Sequence, residues 1–224
     1  MLKIGHRGAM GHELENSSSS IKKALEMPIE MIEIDVRKCK TGEIVVIHDE
    51  TVDRVTNGEG EVSKKTLNEL KELDLINGEK ILTLEEVLDL VNGKKKVNIE
   101  LKGSGTVKPV LKVIKRYLKK GWSLNDFLIS SFRYYRLQRT LEIIPDIDIG
   151  LIMFMSPHLL EVPVEKIETN FIILRKEFVT VEIIKDLHSL GTKVIVWTVN
   201  RKEEIERMKE LGADGVISDY PERI

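Results

Sequence analysis

The sequence predicts an α/β chain closed into a TIM-type (β/α)8 barrel, with a small insertion after the second strand and a short or missing final helix. Three observations carry this. Eight short β-rich runs alternate with helical periodicity almost throughout. No Gly-x-Gly-x-x-Gly opens a helix after the first run, which weakens the rival reading of an open, doubly wound sheet. One connection, after the second strand, is far longer than a barrel loop needs to be.

The strands are expected near 2–5, 31–36, 97–101, 127–131, 148–153, 170–174, 193–198 and 215–218. Helical patterns fall near 15–27, 83–92, 106–120, 133–144, 179–190 and 202–211. Thr83-Leu84-Glu85-Glu86 is a capping box ahead of Val87, Leu88 and Val91. Asn200 with Glu203 is a weaker helix start, and Gly191 and Gly212 stand where helices end. The long connection contains Glu-Ile-Val-Val-Ile-His-Asp (43–49), a strand pattern, and a helical run at Leu67, Leu70 and Leu73. It is expected to be an insertion at about 44–80 within one catalytic domain spanning 1–224. After Val216-Ile-Ser-Asp only five residues remain. The flank beside the last strand is therefore expected to be covered by an irregular segment of the chain or by a second copy. Val216 and Leu2 are the apolar groups at risk there.

Bulk properties exclude little and agree with this. A chain of 224 residues with a net charge of −2 is long enough for a sizeable core, and its charge points to neither nucleic acid nor an anionic membrane. Gly-Lys-Lys-Lys (93–96) reads as a solvated loop. Cys39 is the single cysteine, so no intrachain disulfide can form. No signal-peptide pattern opens the chain and no apolar stretch approaches a membrane span. A cytoplasmic protein without stable membrane association is expected. Oligomeric state is left open.

The chemistry gathers at strand ends. In Met31-Ile-Glu-Ile-Asp-Val-Arg37, period-2 alternation aims Glu33 and Asp35 the same way, about 7 Å apart. Two unpaired carboxylates in a packed strand are costly, so something positive belongs between them. His6 and Arg7 follow the first strand, His48 and Asp49 end the strand of the insertion, and Glu100 and Lys102 end the third strand of the barrel. In a barrel these ends converge on one mouth. Glu33, Asp35 and Glu100 form an oxygen ligand set suited to a divalent cation, Mg²⁺ or Ca²⁺, with Mn²⁺ also acceptable. The bland alternative is a buried ion network with Arg7, Arg37 and Lys102. Arg7 and Lys102 suit phosphate. His6 and His48 can divide acid and base work. Glu15, Asn16, Phe132 and Trp197 are candidate pocket residues, each with an ordinary capping or packing role as the alternative.

These motifs resemble one family. His6–Ser17, Glu33–Gly60, Ile81–Leu88, Asn98–Lys102, Ile129–Phe132 and Val196–Asn200 are similar, in order, to the glycerophosphodiester phosphodiesterases. The resemblance covers nearly the whole chain. It implies a barrel with a small insertion and metal-dependent hydrolysis of glycerophosphodiesters to glycerol 3-phosphate and an alcohol. By motif it implies that His6 and His48 are the general acid and base, that Glu33, Asp35 and Glu100 hold the metal, and that Arg7 and Lys102 bind phosphate. Two motifs depart from the pattern. Leu14-Glu15-Asn16-Ser17 stands for Pro-Glu-Asn-Thr, and the usual Thr-x-Asp-Gly before the second histidine is lost from Lys38–Asp49. Neither removes a catalytic group. A lysophospholipid-cleaving relative of phospholipase D type, which would need an apolar rim, and a non-catalytic phosphate- or metal-binding barrel are the competing expectations.

Overall fold

The computed structural model describes residues 1–157 and 167–224. Among the described residues nine strands are formed: β1 (Leu2–Gly5), β2 (Met31–Lys38), β3 (Ile44–Val46), β4 (Lys96–Leu101), β5 (Phe127–Ser131), β6 (Asp148–Met153), β7 (Phe171–Arg175), β8 (Lys193–Trp197) and β9 (Gly215–Ser218). The helices are α1 (Ser18–Leu25), α2 (Leu67–Glu72), α3 (Leu84–Val91), α4 (Val107–Leu118), α5 (Tyr134–Leu141), α6 (Val181–Ser189) and α7 (Lys202–Leu211). Eight strands, all but β3, pair in parallel, and β1 bonds to both β2 and β9, which closes the barrel. β3 lies outside, antiparallel to β2 through Val36–Val46 and Lys38–Ile44.

Alternation along each strand sorts side chains into two layers. On β2, Ile32, Ile34 and Val36 face outward into the core shared with the helices, where Val87, Leu88 and Ile114 also lie. The inward layer is apolar low in the barrel, with Ile4, Leu128, Ile173, Ile195 and Ile217 packed together. It turns polar near the mouth, where the register sets Glu33 beside Asn98 and Asp35 beside Glu100. The expected capping box on α3 forms: Thr83 Oγ1 accepts from Glu86 N, and Thr83 N donates to Glu86 Oε2.

The insertion has its own small core of Val45, Ile47, Val52, Leu70 and Ile81 around Cys39. It rests on the edge of β2 and delivers His48 to the barrel mouth. No α-helix follows β9 among the described residues. A 3-10 turn, Pro221–Arg223, covers the flank instead, with Ile224 packed in the same core as the fully buried Val216. The chain thus covers this flank itself. Leu2 does not belong to the flank: it faces inward, at the barrel floor.

Two local readings are corrected. α1 begins at Ser18 rather than near 15, because Asn16 adopts a left-handed backbone (φ 58°) and Ser17 is the cap, accepting from Ser20 N. Asn200 does not cap α7. Arg201 occupies that position without a side-chain bond, and the Asn200 amide is spent on Asp219.

Candidate active site

The mouth is built first from backbone. After β1 the chain turns sharply through Arg7, in the left-handed region (φ 48°), and Gly8 (φ 89°). A Cβ at Gly8 would lie 2.4 Å from Ser20 Oγ, so no other residue fits that turn. The strained Arg7 is held by its N–H to Glu33 Oε2 (2.8 Å) and by its carbonyl, which accepts from Asn16 N and Ser20 Oγ. His6 and Arg7 are thereby fixed over β2.

Glu33, Asp35 and Glu100 are buried at 3%, 1% and 8% exposure, and one oxygen from each lies within 4.8 Å of the others. Part of the expected ion network is present. Lys102 Nζ sits 2.7 Å from Glu100 Oε1 and 3.3 Å from Asp35 Oδ1, and Arg7 Nε sits 3.1 Å from Asp35 Oδ2. Arg37 takes no part in it; its Nε donates to the His48 carbonyl. The network does not satisfy the carboxylates. Glu33 Oε1 is buried without a hydrogen-bond partner, and so are Asn98 Oδ1 and Ser130 Oγ beneath it.

The electrostatics agree. Burial, then the charges of Asp35 and Glu100, push the Glu33 carboxyl well up. Burial and Asp35 lift Glu100 to about 7. Burial acts upward on Asp35 too, but Lys102 and Arg7 outweigh it and hold this group below its usual range. Two cationic side chains are therefore too few for three carboxylates, and one buried oxygen, Glu33 Oε1, is left without a partner. A divalent cation fits that donor set.

Each histidine is oriented by an aspartate. His6 Nδ1 donates to Asp219 Oδ1 (2.6 Å), and Asp219 Oδ2 accepts from Asn200 Nδ2 (2.7 Å). His48 Nδ1 donates to Asp49 Oδ1 (2.6 Å), whose other oxygen accepts from Arg54 Nε (2.6 Å). Both aspartates are held in the ionised form. For Asp49 the Arg54 hydrogen bond is the main cause; for Asp219 burial is outweighed by His6 and Asn200. With Nδ1 committed as donor, Nε2 is the nitrogen left for chemistry on each ring. Burial, with the charges of Arg7 and Lys102, lowers the His48 pKa against the raising effects of Asp35 and Asp49.

His6, Arg7, Glu33, His48, Glu100 and Lys102 line one cavity of about 170 Å³, with Asn98 at its floor. Phe132 and Trp197 form the opposite wall, edge to face at 5.7 Å. Glu15 and Asn16 stand behind the site. Glu15 accepts from Arg7 and Arg54, and Asn16 Nδ2 donates to Asp35 Oδ2 (3.0 Å). Sequence reasoning missed Asp219 and the clamp on it. The signal available was an aspartate just past a barrel strand, at the same end of the barrel as His6 and Lys102.

Opposed charges held at the carboxyl end of a closed parallel barrel, beside two oriented histidines, are the mark of a (β/α)8-barrel enzyme. Comparison with known proteins narrows the class. Residues 6–223 match the glycerophosphoryl diester phosphodiesterase family, and the chain belongs to it. It is 37% identical to a glycerophosphodiester phosphodiesterase of Caldanaerobacter subterraneus subsp. tengcongensis, over 100% of this chain and 96% of that relative. A solved structure of an Oleispira antarctica phosphodiesterase, in complex with the product sn-glycerol-3-phosphate, superimposes with a TM-score of 0.91 at 29% identity. It covers 99% of this chain and 94% of that one. The human lysophospholipase D GDPD1 is 26% identical over 99% of this chain and 84% of its own length.

Proposed function

We propose that this chain hydrolyses glycerophosphodiesters to glycerol 3-phosphate and an alcohol, with His6 and His48 as the acid–base pair. The observation that carries the reading is the cavity itself. Two histidines whose Nε2 atoms make no hydrogen bond among the described residues (His6 Nε2 lies 4.0 Å from Glu33 Oε2), two cations and an under-compensated carboxylate trio face one space. Glu33, Asp35 and Glu100 would hold a divalent cation, Mg²⁺, Ca²⁺ or Mn²⁺. When bound, such an ion supplies neutralisation of phosphate charge and acidification of a coordinated hydroxyl. Arg7 and Lys102 orient the phosphoryl oxygens and share their negative charge. One histidine takes the proton of the attacking hydroxyl as its oxygen bonds to phosphorus. The other delivers a proton to the alcohol oxygen as the P–O bond to it breaks. With the glycerol 2-hydroxyl as attacker, the product is a cyclic phosphate. Water then opens it with the histidine roles exchanged. Asp219 and Asp49 stabilise whichever imidazolium forms and keep each ring in the donor tautomer at Nδ1.

The test is a panel of glycerophosphodiesters, assayed for glycerol 3-phosphate with and without a chelator. Release that stops on chelation and returns with Mg²⁺, Ca²⁺ or Mn²⁺ supports the reading. Full activity in a verified metal-free preparation argues against it. One observation favours a second reading, action on lysophospholipids. Phe154, 56% exposed, stands 6.1 Å from Phe132 at the rim of the cavity and gives the mouth an apolar lip. Lysophospholipids included in the same panel distinguish the two. Among the described residues no helix is long and apolar enough to cross a membrane.

A further inference from the structure

Beside the mouth, between β2 and the loop after β4, lies a second concavity of about 400 Å³ that the chemistry above leaves unused. Arg37, Lys38, Lys40, Glu50 and Ser104 are among its lining residues, so three cations face one carboxylate. Among the described residues the ammonium groups of Lys38 and Lys40 form neither an ion pair nor a hydrogen bond, and Lys40 is felt by Glu69 only at longer range. Arg37 is half-buried. Its Nε is satisfied by the His48 carbonyl at 2.9 Å, while its terminal nitrogens lie beside Gly103 without an acceptor. The terminal nitrogens are not among the buried unpartnered atoms, so they remain open to solvent and to an anion.

The two cavities are neighbours: among the described residues none lines both, but residues adjacent in the chain line one and the other. Arg37 continues the inward row of Glu33 and Asp35 toward the lip, about 7 Å beyond Asp35. Lys102 N bonds the carbonyl of Val36 and places Lys102 next to Arg37 across the strand ends. His48 and Lys102 line the catalytic cavity, and their neighbours Arg37 and Gly103 line the second. The catalytic cavity, about 170 Å³, is small beside the roughly 300–1,000 Å³ usual for a ligand pocket, so a whole phosphodiester must extend over the lip. The lip at Phe132 and Phe154 presents aromatic rings, with Lys102 Nζ 5.5 Å from the Phe132 ring. The lip at Arg37 and Lys38 presents cations.

We infer that the concavity lined by Arg37, Lys38 and Lys40 is a subsite for an anionic group, phosphate or carboxylate, carried on the alcohol moiety of the substrate. The inference rests on the phosphodiesterase reading and goes beyond it by naming the alcohol. Lysines on flexible stems suit a charged arm of variable length, and Arg37 supplies the fixed contact. A quaternary ammonium alcohol would be repelled by the same three cations. Preference for an anionic alcohol is therefore a difference in affinity at the lip, screened by salt.

Two substrates on one scaffold test it: glycerophosphoglycerol, and the same compound with a phosphate on its terminal hydroxyl. At low ionic strength the phosphorylated ester is expected to have a kcat/KM about tenfold higher, a gain lost at high salt. In the Lys38→Ala/Lys40→Ala variant the ratio is expected to fall to within about twofold of unity. Inorganic phosphate, as a free competing anion, is expected to reduce the advantage of the phosphorylated ester only at concentrations well above that substrate's KM. Inhibition at or below it would mean a free-anion site and overturn the assignment to the alcohol. A wild-type ratio at or below one, or a high ratio that survives the double substitution, also overturns the inference. If neither ester is cleaved, the phosphodiesterase reading fails. Calorimetric binding of the intact phosphorylated ester then decides the subsite alone: weakened binding in the double variant upholds it, and unchanged binding removes it. Should the double variant unfold, Lys40→Glu, which alters one exposed side chain, replaces it and is expected to lower the ratio.

Discussion

His6 and His48 each give Nδ1 to an aspartate and keep Nε2 for the cavity, but the two aspartates are held differently, one by an amide and one by an arginine. Replacing either histidine by alanine is expected to lower turnover by about 10² or more, the usual scale for a lost general acid or base. If the pair acts as a unit, as proposed, the double variant should lose much less than the product of the single losses. Near wild-type turnover in His48→Ala at every pH would remove that residue from the mechanism. The carboxylates make a separate prediction. Burial and Asp35 lift Glu100 from 4.5 to about 7. Between those values the folded protein keeps a proton that the unfolded chain has released, so this group's contribution to stability declines as pH rises through that window. Glu33 is displaced the same way; Asp35, held low, contributes stability that is lost only in acid. A divalent cation held by Glu33, Asp35 and Glu100 would take the place of the proton. Mg²⁺ is therefore expected to raise the melting temperature of the apo-protein more at pH 8 than at pH 5, and equal shifts in thermal melts would contradict the proposed ligand set. Most of these residues were legible because charged groups stand out on the inward face of a buried strand. Asp219 was not, because its partner His6 lies 213 residues away and only barrel closure joins them.

Strands and capped helices were the most readable elements. All eight barrel strands form within two residues of their expected bounds at either end, because strands buried on both faces read as continuous apolar runs closed by turns. The Thr83–Glu86 capping box was legible because its pattern is local. Its removal has a defined scale: Thr83→Ala is expected to cost about 1 kcal/mol in chemical denaturation, with α3 frayed at its first turn. No loss of stability would show that packing of Leu84, Val87 and Leu88 alone holds that end. The start of α1 was misread for a physical reason. Glu15 and Asn16 resemble helix-start residues, yet the left-handed turn at Asn16 and its bonds to Asp35 draw both toward the mouth. A tertiary partner overrode a local preference. Asn200 was misread in the same way, since its amide serves Asp219.

Closure of the whole barrel brings β9 against β1 and so completes the site, with Gly5 paired to Ser218 and His6 N bonded to the Ser218 carbonyl. The segment after β9 packs back over this seam. Gly11 N bonds the Asp219 carbonyl, and His12 meets Tyr220 edge-on and Glu222 at 3.0 Å. Ile224, 6% exposed, fills the position a further helix would cover. Ile224→Ala is expected to destabilise the fold by about 2 kcal/mol, at the low end for a buried isoleucine because it lies at the end of the described chain. Unchanged unfolding would mean that Val216 is shielded by other groups. The central claim concerns phosphorus and is tested most directly by hydrolysis of a glycerophosphodiester in ¹⁸O-labelled water, followed by ³¹P NMR. The account expects the label in glycerol 3-phosphate and none in the alcohol, because water attacks phosphorus whether or not a cyclic phosphate precedes it. Label in the released alcohol, or no glycerol 3-phosphate from the metal-loaded protein, would contradict it.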